Sequence, residues 1–226
     1  MRRAAPSVAA VVTTVLLGST ALTGCSSDAG ASTSGTRAAT AAASSSKSEP
    51  ASALAALIVV PAGYVQAAAP DANQLTGPFD AETYLGGMSS APPEDRALLL
   101  NATFTEGYQT YRVSADKKKR FTVQLFKTGS QAKARYLLNG FWMQDNHSRS
   151  FAIPGVPDAL TDGRVVVSAA AGRSEAVAEA SFVVGTLVAE ISVRETGDVT
   201  ADLTPDTALI TSIAKQQKAQ LTRSSG

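Results

Sequence analysis

Residues 26–50 are almost entirely Ser, Ala, Thr and Gly, with a few isolated charges. A segment of that composition cannot bury enough apolar surface to offset the entropy lost on ordering it. Any packed core must therefore come from the residues that follow. The run reads as a flexible tether, whose 25 residues give a mean reach of about 25–30 Å. From residue 52 onward the chain has the length of one domain, and no second linker divides it.

The stretch before the tether has a different character. Met1-Arg2-Arg3 is a short positive start, and no charge follows until well past Leu22. Apolar residues concentrate in Ala9-Ala10-Val11-Val12 and Val15-Leu16-Leu17, a run too short and too rich in small residues for a comfortable membrane span. This is the tripartite pattern of an export signal. It ends at Cys25, the single cysteine of the chain, which has no second cysteine to pair with in a disulfide.

Leu22-Thr23-Gly24-Cys25 resembles the lipobox of bacterial lipoproteins: an aliphatic residue, a small residue, Gly or Ala, then Cys. The resemblance covers only this first part of the chain. It implies that residues 1–24 are a signal peptide, that Cys25 carries a diacylglycerol on its sulfur, and that Cys25 becomes the first residue of the mature protein. It also implies fatty acids such as palmitate on the anchor, and a place on the outer face of the cell membrane. Acyl chains contribute about 0.8 kcal/mol per buried CH2, and stable anchoring needs more than one chain. Residues 25–51 are then the lipidated cysteine and its tether, and residues 52–226 a single globular domain. The Ala-rich, Lys-poor style of the N-terminal part resembles uncharacterised lipoproteins of actinobacteria. So, more weakly, does the Phe151-Ala152-Ile153-Pro154-Gly155-Val156-Pro157 stretch.

Within the domain, periodicity predicts the elements. Asp80 reads as the N-cap of a short helix closed by Gly86-Gly87, and Pro92-Pro93 opens another. Residues 103–113 and 120–126 read as paired strands. In the second, Phe121, Val123 and Leu125 share one face, and Arg120, Thr122 and Gln124 the other. Ser130 caps an amphipathic helix carrying Ala134, Leu137, Leu138, Phe141 and Trp142. Residues 164–169 form a β-branched run. Residues 176–184 and 186–195 read as a hairpin, with Leu187, Ala189, Ile191 and Val193 opposite Glu190, Ser192 and Arg194. Thr204-Pro205-Asp206 opens a final helix that buries Leu209, Ile210, Ile213, Ala214 and Leu221. The order predicts an α+β fold, an antiparallel sheet with helices packed on one face. It resembles the Mog1/PsbP-like sandwich.

The sequence offers no committed chemistry. The precursor charge is +1, and removing Arg2 and Arg3 brings it to −1, which argues against a nucleic-acid partner. Ser114-Ala115-Asp116-Lys117 and Lys127-Thr128-Gly129 match S-x-x-K and K-T-G of the penicillin-binding and β-lactamase families. Here they stand about ten residues apart with no S-D-N between, and Ser114 falls in a hairpin. His147, the one histidine, could pair with Asp145 or Asp162. The plainer reading places it at a helix C-terminus, favoured by the dipole there. One histidine and no spare cysteine argue against zinc or copper. Asp158, Asp162, Asp198 and Asp202 do not have the spacing of a calcium loop.

Lys117-Lys118-Lys119-Arg120 could meet anionic headgroups or cell-wall polymers, or simply solvate a hairpin tip. The Phe151–Pro157 stretch could rim a pocket or fold onto the sheet. Phe141 and Trp142 read as core. No metal, cofactor or catalytic residue is assigned, and the only assigned site is lipid attachment at Cys25. The expected function is a lipid-anchored envelope protein, not an enzyme, that holds a small apolar molecule or an envelope protein partner. The alternatives are an envelope enzyme with a carboxylate-based site and, third, a solute-binding protein of a transporter.

Overall fold

The computed structural model describes residues 52–67 and 75–224. Cys25 and the expected signal peptide and tether lie outside them. Among the described residues, no helix is long and apolar enough to cross a membrane.

The strands are β1 (Tyr64–Gln66), β2 (Gly77–Phe79), β3 (Glu106–Ser114), β4 (Lys119–Lys127), β5 (Leu160–Ser168), β6 (Arg173–Val184) and β7 (Leu187–Asp198). The helices are α1 (Ala81–Gly87), α2 (Pro92–Asn101), α3 (Gln131–Trp142) and α4 (Thr207–Ser224). All seven strands join one sheet in the order β1-β3-β4-β7-β6-β5, with β2 also pairing β3, and every pairing is antiparallel. The expected α+β class holds. β1 and β2 are too short to show an alternation in sequence. Of the strand or apolar lead-in expected at residues 57–60, no strand forms: Leu57 ends a 3-10 turn, Ala53–Leu57, and Ile58 and Val59 lead on against the core.

The helix caps follow the sequence, with one shift. Asp80 Oδ1 accepts the Thr83 amide at 2.8 Å, and Ser130 Oγ accepts that of Lys133 at 3.3 Å. The last helix starts later than its proline suggested: Asp206 Oδ1 accepts the Leu209 amide at 3.0 Å, so Asp206 is the cap and Pro205 precedes it.

Helices cover both faces of the sheet, not one. Phe121, Val123, Leu125, Ala178, Ala180, Phe182, Ala189, Ile191 and Val193 point to one side, where Ile210, Ile213, Ala214 and Leu221 of α4 cover them. Ile153 and Val156 of the proline-rich loop join that core. The loop therefore folds onto the sheet, pinned where Thr161 Oγ1 accepts the Phe151 amide and donates to its carbonyl. Gln217 of α4, fully buried, accepts the Val59 amide and donates to the Leu57 carbonyl, which ties the start of the domain to its end.

On the other side Phe126 and Val188 meet Leu137, Leu138 and Phe141 of α3, Leu99 of α2 and Tyr84 and Leu85 of α1. Phe79, Tyr84, Phe104, Phe126 and Phe141 form a cluster with ring centroids 5.3 to 6.0 Å apart. Such pairs contribute about 0.5–1.5 kcal/mol each beyond burial. Gly107 of β3 makes room for the cluster, since a Cβ there would stand 2.1 Å from the Phe79 ring.

Candidate functional site

The second face is apolar only at one end. Strand alternation carries Phe126, Val188 and Val183 under the helices. Two residues further along each strand the same face presents Gln124, Glu190 and Ser181, and then Thr122, Ser192 and Glu179. α1 stops at its two glycines and α3 stops at Trp142. The helical cover therefore ends where the polar residues begin, leaving a cavity of about 370 Å³.

Its floor is Thr122 and Gln124 of β4, Glu179 and Ser181 of β6, and Glu190, Ser192 and Arg194 of β7. Its walls are Tyr84, Met88, Ser90 and Asp95 on one side and Phe141, Trp142, Asp145 and His147 on the other. Four carboxyl groups and one guanidinium line it, and Arg194 is already engaged with Glu175 Oε2 at 3.2 Å. Gln124 donates to Gln109 Oε1 at 2.6 Å, and Gln109 to the Leu75 carbonyl at 2.7 Å.

Glu190 lies at the centre of the floor and accepts no hydrogen bond among the described residues. Burial, reinforced by the charges of Glu179, Asp95 and Asp145, pushes its carboxyl up to about 8 from an ordinary 4.5. Asp95, in the first turn of α2, is 2% exposed. Its Oδ2 accepts the Ser89 hydroxyl at 2.5 Å, while its buried Oδ1 has no partner. Burial also drives the Tyr84 hydroxyl far above its usual range, so this phenol stays neutral.

His147 belongs to the wall. Its Nε2 lies 2.7 Å from the carbonyl of Trp142, the last residue of α3, and a carbonyl can only accept, so Nε2 carries a proton. That contact agrees with the helix-terminus reading. Its ring stacks on Trp142 with centroids 3.6 Å apart and planes within 3°. Trp142 is thus half-buried at the cavity edge, not core as its helical spacing suggested. The stack also borders a second cavity, of about 380 Å³, over Arg149, Phe151 and Thr161. His147 Nδ1 is 3.4 Å from Glu179 Oε1, within ion-pair reach but without a hydrogen bond.

His147, Asp162 and Glu179 bring ligand atoms within 4.8 Å of one another. A guanidinium already serves them: Arg164 donates to Asp162 Oδ2 at 2.5 Å and to Glu179 Oε1. Asp162 Oδ1 accepts the amides of Ser148 and Arg149 at 2.8 and 2.7 Å. Burial alone would raise the Asp162 carboxyl, but these amides and Arg164 outweigh it and hold it below its usual range. A metal ion here would have to displace Arg164, so the trio is read as a positioning network for the loop that carries His147.

The other residues singled out in the sequence occupy plainer places. Ser114 Oγ donates to Asp116 Oδ1 at 2.6 Å inside the β3–β4 turn, and Lys127 pairs with Glu106 at 2.9 Å, so no S-x-x-K or K-T-G site forms. Of the basic run, Lys119 pairs with Asp206 at 2.6 Å and Arg120 with Glu175, leaving Lys117 and Lys118 exposed at the turn. Asp158, Asp198 and Asp202 are exposed and apart from the buried Asp162. Sequence pattern alone does not single out Glu190, Glu179 or Asp95 as site residues. The alternation sets Glu190 on the polar side of its strand, but only the helices on that side turn the polar stripe into a cavity floor.

No protein-family model matches the sequence, and no curated protein matches it. Among solved structures, the extracellular domain of PknH from Mycobacterium tuberculosis is similar over 57% of this chain and 68% of that one. The identity is 9% and the TM-score 0.30, too slight a likeness to carry an argument about activity.

Proposed function

We propose that the protein is a lipid-anchored binding protein on the outer face of the cell membrane, with its ligand site in the cavity over Glu190. One observation carries the reading. On an otherwise packed sheet face, one concave space is lined by a half-buried carboxyl without hydrogen bonds, by the buried Asp95 with one unpartnered oxygen, and by an aromatic wall. Unsatisfied buried polar groups cost stability, and a cavity of this size with convergent polar groups suits a small molecule. The lining is more polar than the apolar ligand expected from the sequence would need, so the proposed ligand is polar.

The first test is the native mass of the full chain, exported from its own host and extracted in mild detergent. The expected result is extra mass beyond the lipidated polypeptide, released on denaturation. A mass accounted for by polypeptide and lipid alone counts against a carried ligand. The anchor has a separate test. In Cys25→Ser the protein leaves the membrane fraction and stops incorporating labelled fatty acid; retention of both would overturn the lipobox reading.

Glu190 also favours a second reading, an envelope enzyme, because a carboxyl that keeps its proton near neutral pH beside other carboxylates suits acid–base work on glycosides. Turnover of an aryl glycoside that disappears in Glu190→Gln would rank it above the binding reading.

A further inference from the structure

We infer that the cavity takes a small organic cation, its ammonium group held by Glu190 and Asp95 and its apolar body lying against Tyr84, Phe141 and Trp142. This rests on the reading of the cavity as a ligand site and names the class of ligand.

The charge of the lining comes first. Asp95, Asp145, Glu179 and Glu190 face the space, and the one cation in the lining, Arg194, is turned to Glu175. An anion placed here would meet four carboxyl groups with no free positive partner. Asp95 supplies the independent sign of a missing donor: it lines this cavity, and its Oδ1 is buried and receives no hydrogen bond. An N–H donor from the ligand would satisfy it.

An inorganic ion fits less well. Among the described residues, the only set of three or more His, Cys, Asp or Glu side chains with ligand atoms within 4.8 Å of one another is the one that Arg164 serves. Asp95 and Asp145 act on Glu190 electrostatically, but the three do not converge on one coordination sphere, and calcium asks for six to eight close oxygens. A cation several atoms long, with N–H groups that diverge, can reach carboxyls that a single ion cannot. The aromatic wall suits such a ligand through cation–π attraction, and about 370 Å³ admits a one-ring amine or a short diamine but not a folded peptide.

Binding would be coupled to a proton. In the free protein Glu190 holds its proton at neutral pH, with Tyr84 from α1, Asp95 from α2, Asp145 and His147 beyond α3, Glu179 from β6 and Arg194 from β7 around it. An ammonium ion favours the carboxylate form. The protonated Glu190 gives up its proton to solvent and pairs with the ammonium, so one proton leaves for each cation bound. Affinity should rise with pH up to about pH 8, by as much as about tenfold per pH unit.

The experiment uses the chain's single tryptophan, Trp142, whose fluorescence reports from the cavity edge. The full chain in mild detergent is titrated with 2-phenylethylamine, 2-phenylethanol and 3-phenylpropionate, which share a ring and differ in charge. The expected result is a saturable change with the amine at least about tenfold tighter than the alcohol, and none with the carboxylate. Amine affinity should be higher at about pH 8 than at about pH 6. Glu190→Gln should remove the pH dependence and sharply reduce the preference for the amine, which Asp95 alone then carries. Equal affinity for alcohol and amine, tighter binding of the carboxylate, or no response to the amine overturns the cation inference. Native mass separates the two claims. A neutral or anionic molecule found in the exported protein would leave the binding reading standing, and the absence of any, together with no response to the amine, would remove both.

Discussion

Substituting Glu190 with Gln is expected to stabilise the protein at neutral and alkaline pH and to flatten the fall of its melting temperature between about pH 5 and pH 8. The folded carboxyl keeps its proton up to about 8, whereas in the unfolded chain it loses it near 4.5. Between those values the folded state holds one proton more than the unfolded state, so unfolding releases a proton and stability falls as pH rises. The contribution is fully present below 4.5 and lost by the time pH passes 8. At 1.36 kcal/mol for each pH unit between the two values, the loss is at most about 5 kcal/mol. Water reaching the floor of the open cavity screens the charge and reduces this to about 1–3 kcal/mol.

The glutamine side chain has the same shape and no charge to desolvate, so the variant escapes the loss. For a domain of this size each kcal/mol moves the melting temperature by about 2–4 °C. Melting curves recorded across this pH range for parent and variant should therefore meet near pH 5 and separate toward pH 8. Parallel curves would mean that Glu190 ionises near its ordinary value in the folded protein and that water fills the space around it. A site that costs stability in this way is what function-bearing positions commonly show.

The helices and longer strands were legible because their signals are local. Asp80 and Ser130 cap the helices they announce, and Leu187, Ala189, Ile191 and Val193 bury together as their alternation demands. What was not legible was which side of the sheet each helix would take. The sequence suggested one covered face, and the protein covers both, with α4 on one and α1, α2 and α3 on the other. That single difference decides the site. Glu190, Ser192, Thr122 and Gln124 read as a polar outer face if the sheet has a bare side, and as a cavity floor once helices stand over it. Trp142 failed for a related reason. Helical spacing sets its direction from the axis of α3, but not whether the sheet beneath is still apolar at that end. Asp95 looked like an ordinary acidic residue in a helix's first turn, a role that needs no burial.

Asp162→Ala is expected to be the most damaging single change near the site, at about 3–5 kcal/mol. The side chain is fully buried, and each of its oxygens is used: Oδ1 by the amides of Ser148 and Arg149, and Oδ2 by Arg164. Alanine leaves two amides without their acceptor and half of the guanidinium's pairing undone. Asp162→Asn should be only a partial rescue, because its oxygen can still accept the amides while its NH2 group faces Arg164 with the wrong polarity. The pH dependence runs opposite to that of Glu190. The Asp162 carboxyl is held below its ordinary 3.8, so its contribution is present above that value and is lost as pH falls through the lower, folded value. The parent should therefore lose stability at acid pH along a limb that the alanine variant lacks. The change should also be felt beyond stability. Ser148 and Arg149 directly follow His147, so freeing their amides loosens the ring stacked on Trp142. Trp142 emission should then shift at temperatures where the variant is still folded. If stability falls and the emission stays as in the parent, Asp162 holds the sheet edge and not the wall of the cavity.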